Sequence, residues 1–68
     1  WSAVLARALE AHGVVPDKAR RLAALAVAAI EGALLQARVA RSGAPLIEAT
    51  DEVAACFEAA MRQGDPER

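Results

Sequence analysis

Apolar positions run almost without a break from Leu22 to Leu35, and within that stretch only Glu31 carries charge. On either side the pattern loosens into amphipathic segments. Gly13 and Gly43 each stand shortly before a proline, Pro16 and Pro45. Glycine past the end of one helix and proline just inside the next is the usual asymmetry of helix boundaries. The pattern therefore predicts an all-α chain with helices at about 2–12, 16–42 and 45–63, and a polar tail at 65–68. No strand-like alternation and no internal repeat interrupts it.

At about 100° per residue the third helix is two-faced. Leu46, Ala49, Thr50, Val53, Cys56, Phe57, Ala60 and Met61 fall on one side, and Glu48, Asp51, Glu52, Glu58 and Arg62 on the other. The middle helix is apolar almost all round. Val27, Ile30 and Leu34 form one ridge, and Leu25, Leu35 and Val39 lie towards the opposite side. Between them runs a seam of Ala26, Ala29, Ala33, Ala37 and Ala40, with Gly32 near its edge. A helix of that kind is covered on nearly every side. Two short companions in one chain cannot do so, and a second chain is expected to supply the rest. A transmembrane span is the rival reading, but Glu31 and Gln36 interrupt the run and Arg20, Arg21, Arg38 and Arg41 hem it in, so no membrane is expected.

Within this helix Gly32 costs about 1 kcal/mol in propensity. A glycine in an alanine seam lets another backbone approach, and Gly32 is expected at the closest crossing of a homodimer. Glu31 shares a narrow polar strip with Arg20 and Arg38. It is either a partly buried carboxylate paired with an arginine or a polar group at the wall of a ligand cavity.

The size of the chain strengthens the case for a partner. It has 68 residues, nineteen of them alanine, and Trp1 and Phe57 are its two aromatic side chains. Domains this small usually need disulfides, a metal or another chain. The single cysteine, Cys56, excludes an internal disulfide, and the single histidine, His12, excludes a histidine cluster, so no metal and no cofactor are expected. A net charge of −1 without a basic block leaves no electrostatic footprint for nucleic acid. The start resembles no signal peptide. Beginning at Trp1, with helical pattern from the first residues, the chain reads as a piece of a longer protein. Its preference for Ala, Arg, Gly and Pro points to a bacterium with a GC-rich genome.

Individual residues have ordinary readings beside functional ones. His12 suits the carbonyl-rich end of the first helix, Cys56 a small core hydrophobe, and Trp1 either core packing or a pocket wall. The arginines suit solvation and pairing with acids. Catalysis is not expected, because no nucleophile stands with a base and no phosphate-binding loop is present. The enzyme alternative is an all-helical dimer of chorismate-mutase type. It would require Arg20 and Arg21 to converge with Arg38 and Arg41, about 27 Å along the same helix, across a dimer.

The run "HGVVPDKARRLAALAVAAIEGALLQARVARSGAPLIEATDEVAACFEAAM", residues 12–61, resembles the C-terminal end of TetR/AcrR-family transcriptional regulators, closest to the LmrA/YxaF-like subgroup. The "HGV-x-P" turn, "EGALLQAR" and the "SGAPL" link carry the resemblance. It implies an effector-binding and dimerisation region at 1–64, with the last two helices forming a four-helix bundle with a second chain. It also implies a cytoplasmic, ligand-responsive repressor that binds operator DNA only through an N-terminal helix-turn-helix absent from this sequence. A helical dimerisation module without a ligand is the alternative. The expected interface is Ala29, Gly32, Ala33, Gln36, Val53, Phe57 and Ala60. The candidate pocket is Trp1, Leu5, His12, Val27, Ile30 and Glu31, for a hydrophobic or aromatic small molecule.

Overall fold

A computed structural model describes residues 1–64, and the expected polar tail at 65–68 lies outside them. Three helices follow one another: α1 (Ser2–Ala11), α2 (Pro16–Ala40) and α3 (Ala44–Gly64). No strand occurs among the described residues. Each boundary has a local cause.

α1 ends in a Schellman turn. The Gly13 N–H donates to the Glu10 carbonyl at 3.0 Å and the Val14 N–H to that of Leu9 at 3.1 Å, with Gly13 at φ 92°. The apolar contact that accompanies this motif is present, since Leu9 and Val14 are both buried in one cluster. α2 then opens with Val15 as N-cap, Pro16 in its first turn and Asp17 as the acidic residue there. A proline needs no N–H partner in that turn, and a carboxylate is favoured by the helix dipole.

The end of α2 departs from expectation. The helix stops at Ala40 rather than 42, and Arg41, not Gly43, takes the left-handed conformation at φ 54° and ψ 44°. The hydrogen bonds are again of the Schellman type: Arg41 N–H to Arg38 carbonyl at 3.3 Å and Ser42 N–H to Ala37 carbonyl at 3.1 Å. Gly43 is left to begin α3, its carbonyl accepting from the Ile47 N–H at 3.1 Å, while the Ser42 hydroxyl accepts from the Ala44 N–H at 3.1 Å. With three residues as the whole link, the reversal must begin two residues earlier than the glycine suggests.

α2 lies between the other two helices, and each packs against it. The Cα atoms span 44 × 22 × 12 Å, so the molecule is a slab about one helix thick. Such a slab hides little. Its core sits at one end, where Leu9, Val14, Ala19 and Ala60 are buried together with Ala6, Leu22, Phe57 and Met61 against them. Lys18 Nζ donates to Gln63 Oε1 at 3.0 Å across the same end, as expected of an antiparallel α2–α3 pair.

On α2 the buried residues are Ala19, Ala23, Ala26 and Ala33, all small. The alanine seam is thus turned inward, in part, to admit α1 and α3 of the same chain. The large side chains face out. Leu25 is 58% exposed, Leu35 62% and Val39 80%. Gly32 does not break the helix, and a Cβ added there would meet nothing within 4 Å, so no close helix crossing occurs at Gly32 within the chain.

Candidate functional site

Two of the concave regions along α2 hold the residues expected at a site. The first lies towards α1, whose N-terminal half runs beside the middle of α2. Here Trp1, Leu5, Val27, Ile30 and Glu31 line a cavity of about 340 Å³. Leu5 projects from α1, Val27 and Ile30 from the ridge of α2, and Trp1 stands at the rim, 90% exposed. The wall is almost wholly apolar, and Glu31 adds almost no polar surface to it. Cavities of this size accept small organic molecules. Five of the six residues expected around a pocket are therefore brought together.

His12 is not among them. It is the C-cap of α1, at the far end of that helix, where its Nδ1 donates to the Ala8 carbonyl at 3.0 Å. That bond satisfies one of the carbonyls a helix end leaves free.

Glu31 corrects one expectation. It is exposed and has no arginine partner among the described residues. Arg20 and Arg38 stand 11 and 7 residues away, about 16 and 10 Å along the axis, whereas side chains on one helix meet at three or four residues. Asp17 pairs with arginine instead, at 2.7 Å to Arg20 and 3.2 Å to Arg21. The Arg20 hydrogen bond, with the charges of Arg21 and Arg20, holds the Asp17 carboxyl below its ordinary value.

The second region lies towards α3. Ala29, Gly32, Ala33 and Gln36, with Ala28, face Pro45, Glu48, Ala49 and Glu52 across an open groove. A narrower cleft of about 190 Å³ continues from it, lined by Leu22, Leu25, Ala26, Ala29, Val53, Cys56 and Phe57 among others. Six of the seven residues expected at a dimer interface line these two depressions. Ala60 lies in the chain's own core, and Ala33 is 6% exposed at the groove floor. Cys56, expected in the core, is exposed at the flank of the α3 face, because a one-layer slab covers only the middle of that face.

An outward row runs along α2. Leu25, Ala28, Gly32, Leu35 and Val39 are all exposed and repeat at intervals of three and four residues along α2. This is the spacing of a coiled-coil seam. Helical phase already places Leu25, Leu35 and Val39 on that side, and Ala28 and Gly32 complete the row.

Among the described residues no three His, Cys, Asp or Glu side chains converge on a metal-sized space. Arg20 and Arg21 are tied to Asp17.

Residues 1–52 match the family model described as the C-terminal domain of LmrA/YxaF-like transcriptional regulators. The chain belongs to this family. It is a C-terminal domain of the TetR type found in transcriptional regulators. Two relatives are uncharacterized HTH-type transcriptional regulators from two strains of Mycobacterium tuberculosis, each 48% identical over 46 residues. The match covers 68% of this chain and 24% of each relative, so the chain spans about a quarter of the length of the curated relatives it matches. No solved structure matches.

The family is one of transcriptional regulators rather than enzymes, and nothing supports the chorismate-mutase alternative. By length and composition α2 could cross a membrane, but one such helix is weak support for a span, because core helices of soluble proteins pass the same test.

Proposed function

We propose that this LmrA/YxaF-like domain senses a small apolar molecule and dimerises a cytoplasmic repressor. In this reading, operator DNA is bound by a helix-turn-helix domain elsewhere in the full-length protein. The observation that carries the reading is that α2 has uncovered apolar side chains on two opposite sides. One side, with Val27 and Ile30, walls the cavity beside α1. The other bears the row Leu25, Ala28, Gly32, Leu35 and Val39.

Burying one leucine fully is worth about 1.5–3 kcal/mol, so a row of this kind left in water forgoes several such contributions. Docking the row on its copy, with α3 alongside, would build a four-helix bundle from the α2–α3 pairs of two chains. Gly32 and Ala28 would then mark the closest approach, with Ala29, Gln36, Val53 and Phe57 around them. The cavity stays on the far side of α2, where a ligand could shift α1 against α2 without entering the interface.

The test is operator binding by the full-length protein, followed in a mobility-shift assay against a panel of apolar and aromatic compounds. Release of DNA by one class of compound, abolished when Ile30→Trp fills the cavity, supports sensing here. A protein that binds no operator, or is released equally in the filled variant, contradicts it.

A further inference from the structure

Near the turn that joins α1 to α2, an open groove of about 490 Å³ runs between the two helices. Ala3 and Ala6 are its small residues, Arg7 and Glu10 line it from α1, and Asp17 and Arg20 line it from α2. Counted from the middle of the turn, Glu10 and Asp17 are equally distant on either side, and so are Arg7 and Arg20. In antiparallel neighbours equal distance means equal height. Two carboxylates therefore share the turn end of the groove, and two guanidiniums the inner end, about 4.5 Å further on. Asp17 is engaged by Arg20 and Arg21 along α2. Arg7 and Glu10 are both exposed and form no ion pair among the described residues, although their three-residue spacing allows one.

We propose that this groove docks α1 of a second copy, turned end for end, as a contact separate from the α2 row. Turned in this way, the second copy sets its Arg7 against Glu10 and Asp17, and its Glu10 against Arg7 and Arg20. The contact is two-fold symmetric, so each pairing is made twice. A parallel copy, or an antiparallel one slipped by three residues, sets like charges together. The charges thus fix both direction and register. Ala3 and Ala6 keep bulk out of the path of the incoming helix. The same register brings Val4 of each copy to the turn of the other, beside Val15, and both valines are exposed. A foreign helix needs acid and base at a matching spacing, whereas a second copy carries them by construction. Nucleic acid is repelled by the Glu10 and Asp17 end.

The experiment follows the mass of the full-length protein against concentration by sedimentation equilibrium. One association step should weaken several-fold as salt rises from about 20 to about 500 mM, because the pairs are solvent-accessible. An exposed ion pair is worth a factor of about 1.5 to 5. Arg7→Glu turns two attractions into two repulsions, so it should weaken this step about tenfold or more, and Glu10→Arg should do the same. Both positions are exposed, and circular dichroism melts of the two variants should match wild type. Mixed in equal amounts, the variants should restore the step, since α1 of one then carries only carboxylates there and α1 of the other only guanidiniums. A step unchanged in Arg7→Glu, or lost in both variants and not repaired by mixing, overturns the proposal. So does a wild type with no association step besides the one that Gly32→Leu weakens.

Discussion

Gly13 and Arg41 close successive helices with the same left-handed turn, at φ 92° and φ 54°, although only one of them is a glycine. Left-handed backbone costs an ordinary L-residue about 1 kcal/mol or more, because its Cβ crowds the following carbonyl. Arg41→Gly should therefore stabilise the fold by about 0.5–1 kcal/mol, and Gly13→Ala should destabilise it by about 1 kcal/mol. Urea midpoints of the two variants against wild type test the pair. A destabilised Arg41→Gly would show that the arginine side chain makes a contribution larger than the backbone strain.

Ala23 and Ala26 lie in the inward seam at 0% and 1% exposure, while Ala24 faces water. Ala23→Leu or Ala26→Leu should push the helices apart and lower stability by about 1–3 kcal/mol, the usual effect of overpacking. Ala24→Leu should stay within about 0.5 kcal/mol of wild type. Thermal melts distinguish the three, and equal effects at all positions would contradict an inward-turned seam.

Gly32 separates folding from association. With nothing within 4 Å of an added Cβ, a side chain there meets no atom of its own chain. Gly32→Ala should add up to about 1 kcal/mol of helix stability. Gly32→Leu should leave helicity by circular dichroism unchanged yet weaken the proposed dimer, seen as a lower mass by light scattering at equal concentration. A wild type that is monomeric would remove the interface altogether.

Cys56 offers a chemical reading of the same surface. It is exposed in the single chain and lines the cleft with Leu25 and Val53. A maleimide should react with Cys56 quickly at concentrations below the dimer midpoint and several-fold more slowly above it. A rate independent of concentration would place the interface elsewhere.

Asp17 sets a pH dependence of known sign. Its folded-state pKa lies below the ordinary 3.8 through Arg20 and Arg21, so its stabilising contribution is complete above that value and is lost as pH falls through the lower, folded one. Asp17→Asn should flatten the acid limb of the stability profile. Because all three side chains are exposed, added salt should have the same effect.

Much of this was open to sequence reasoning. Gly13 and Pro16 mark one boundary by requirements that no tertiary contact alters. The ridge of Val27 and Ile30 follows from helical phase, and the resemblance to an effector-binding region groups it with Leu5 and Trp1 as a candidate pocket. His12 was not separable from that group by phase, because phase carries no information about height along the neighbouring helix. Height excludes it: α1 runs against α2, and its C-terminal end meets the first turns of α2 rather than the middle.

The sequence by itself determined three helices, the central position of the most apolar one, and the membership its motifs announce, since periodicity, caps and propensities act locally. Which line of small residues admits the chain's own helices, and which stays open, was decided only by tertiary structure. Ala19, Ala23, Ala26 and Ala33 turned inward because helices in a one-layer slab gain most contact where side chains are smallest. Leu25, Leu35 and Val39 were thereby left facing out, and Arg41 was drawn into the left-handed turn because three residues had to reverse the chain.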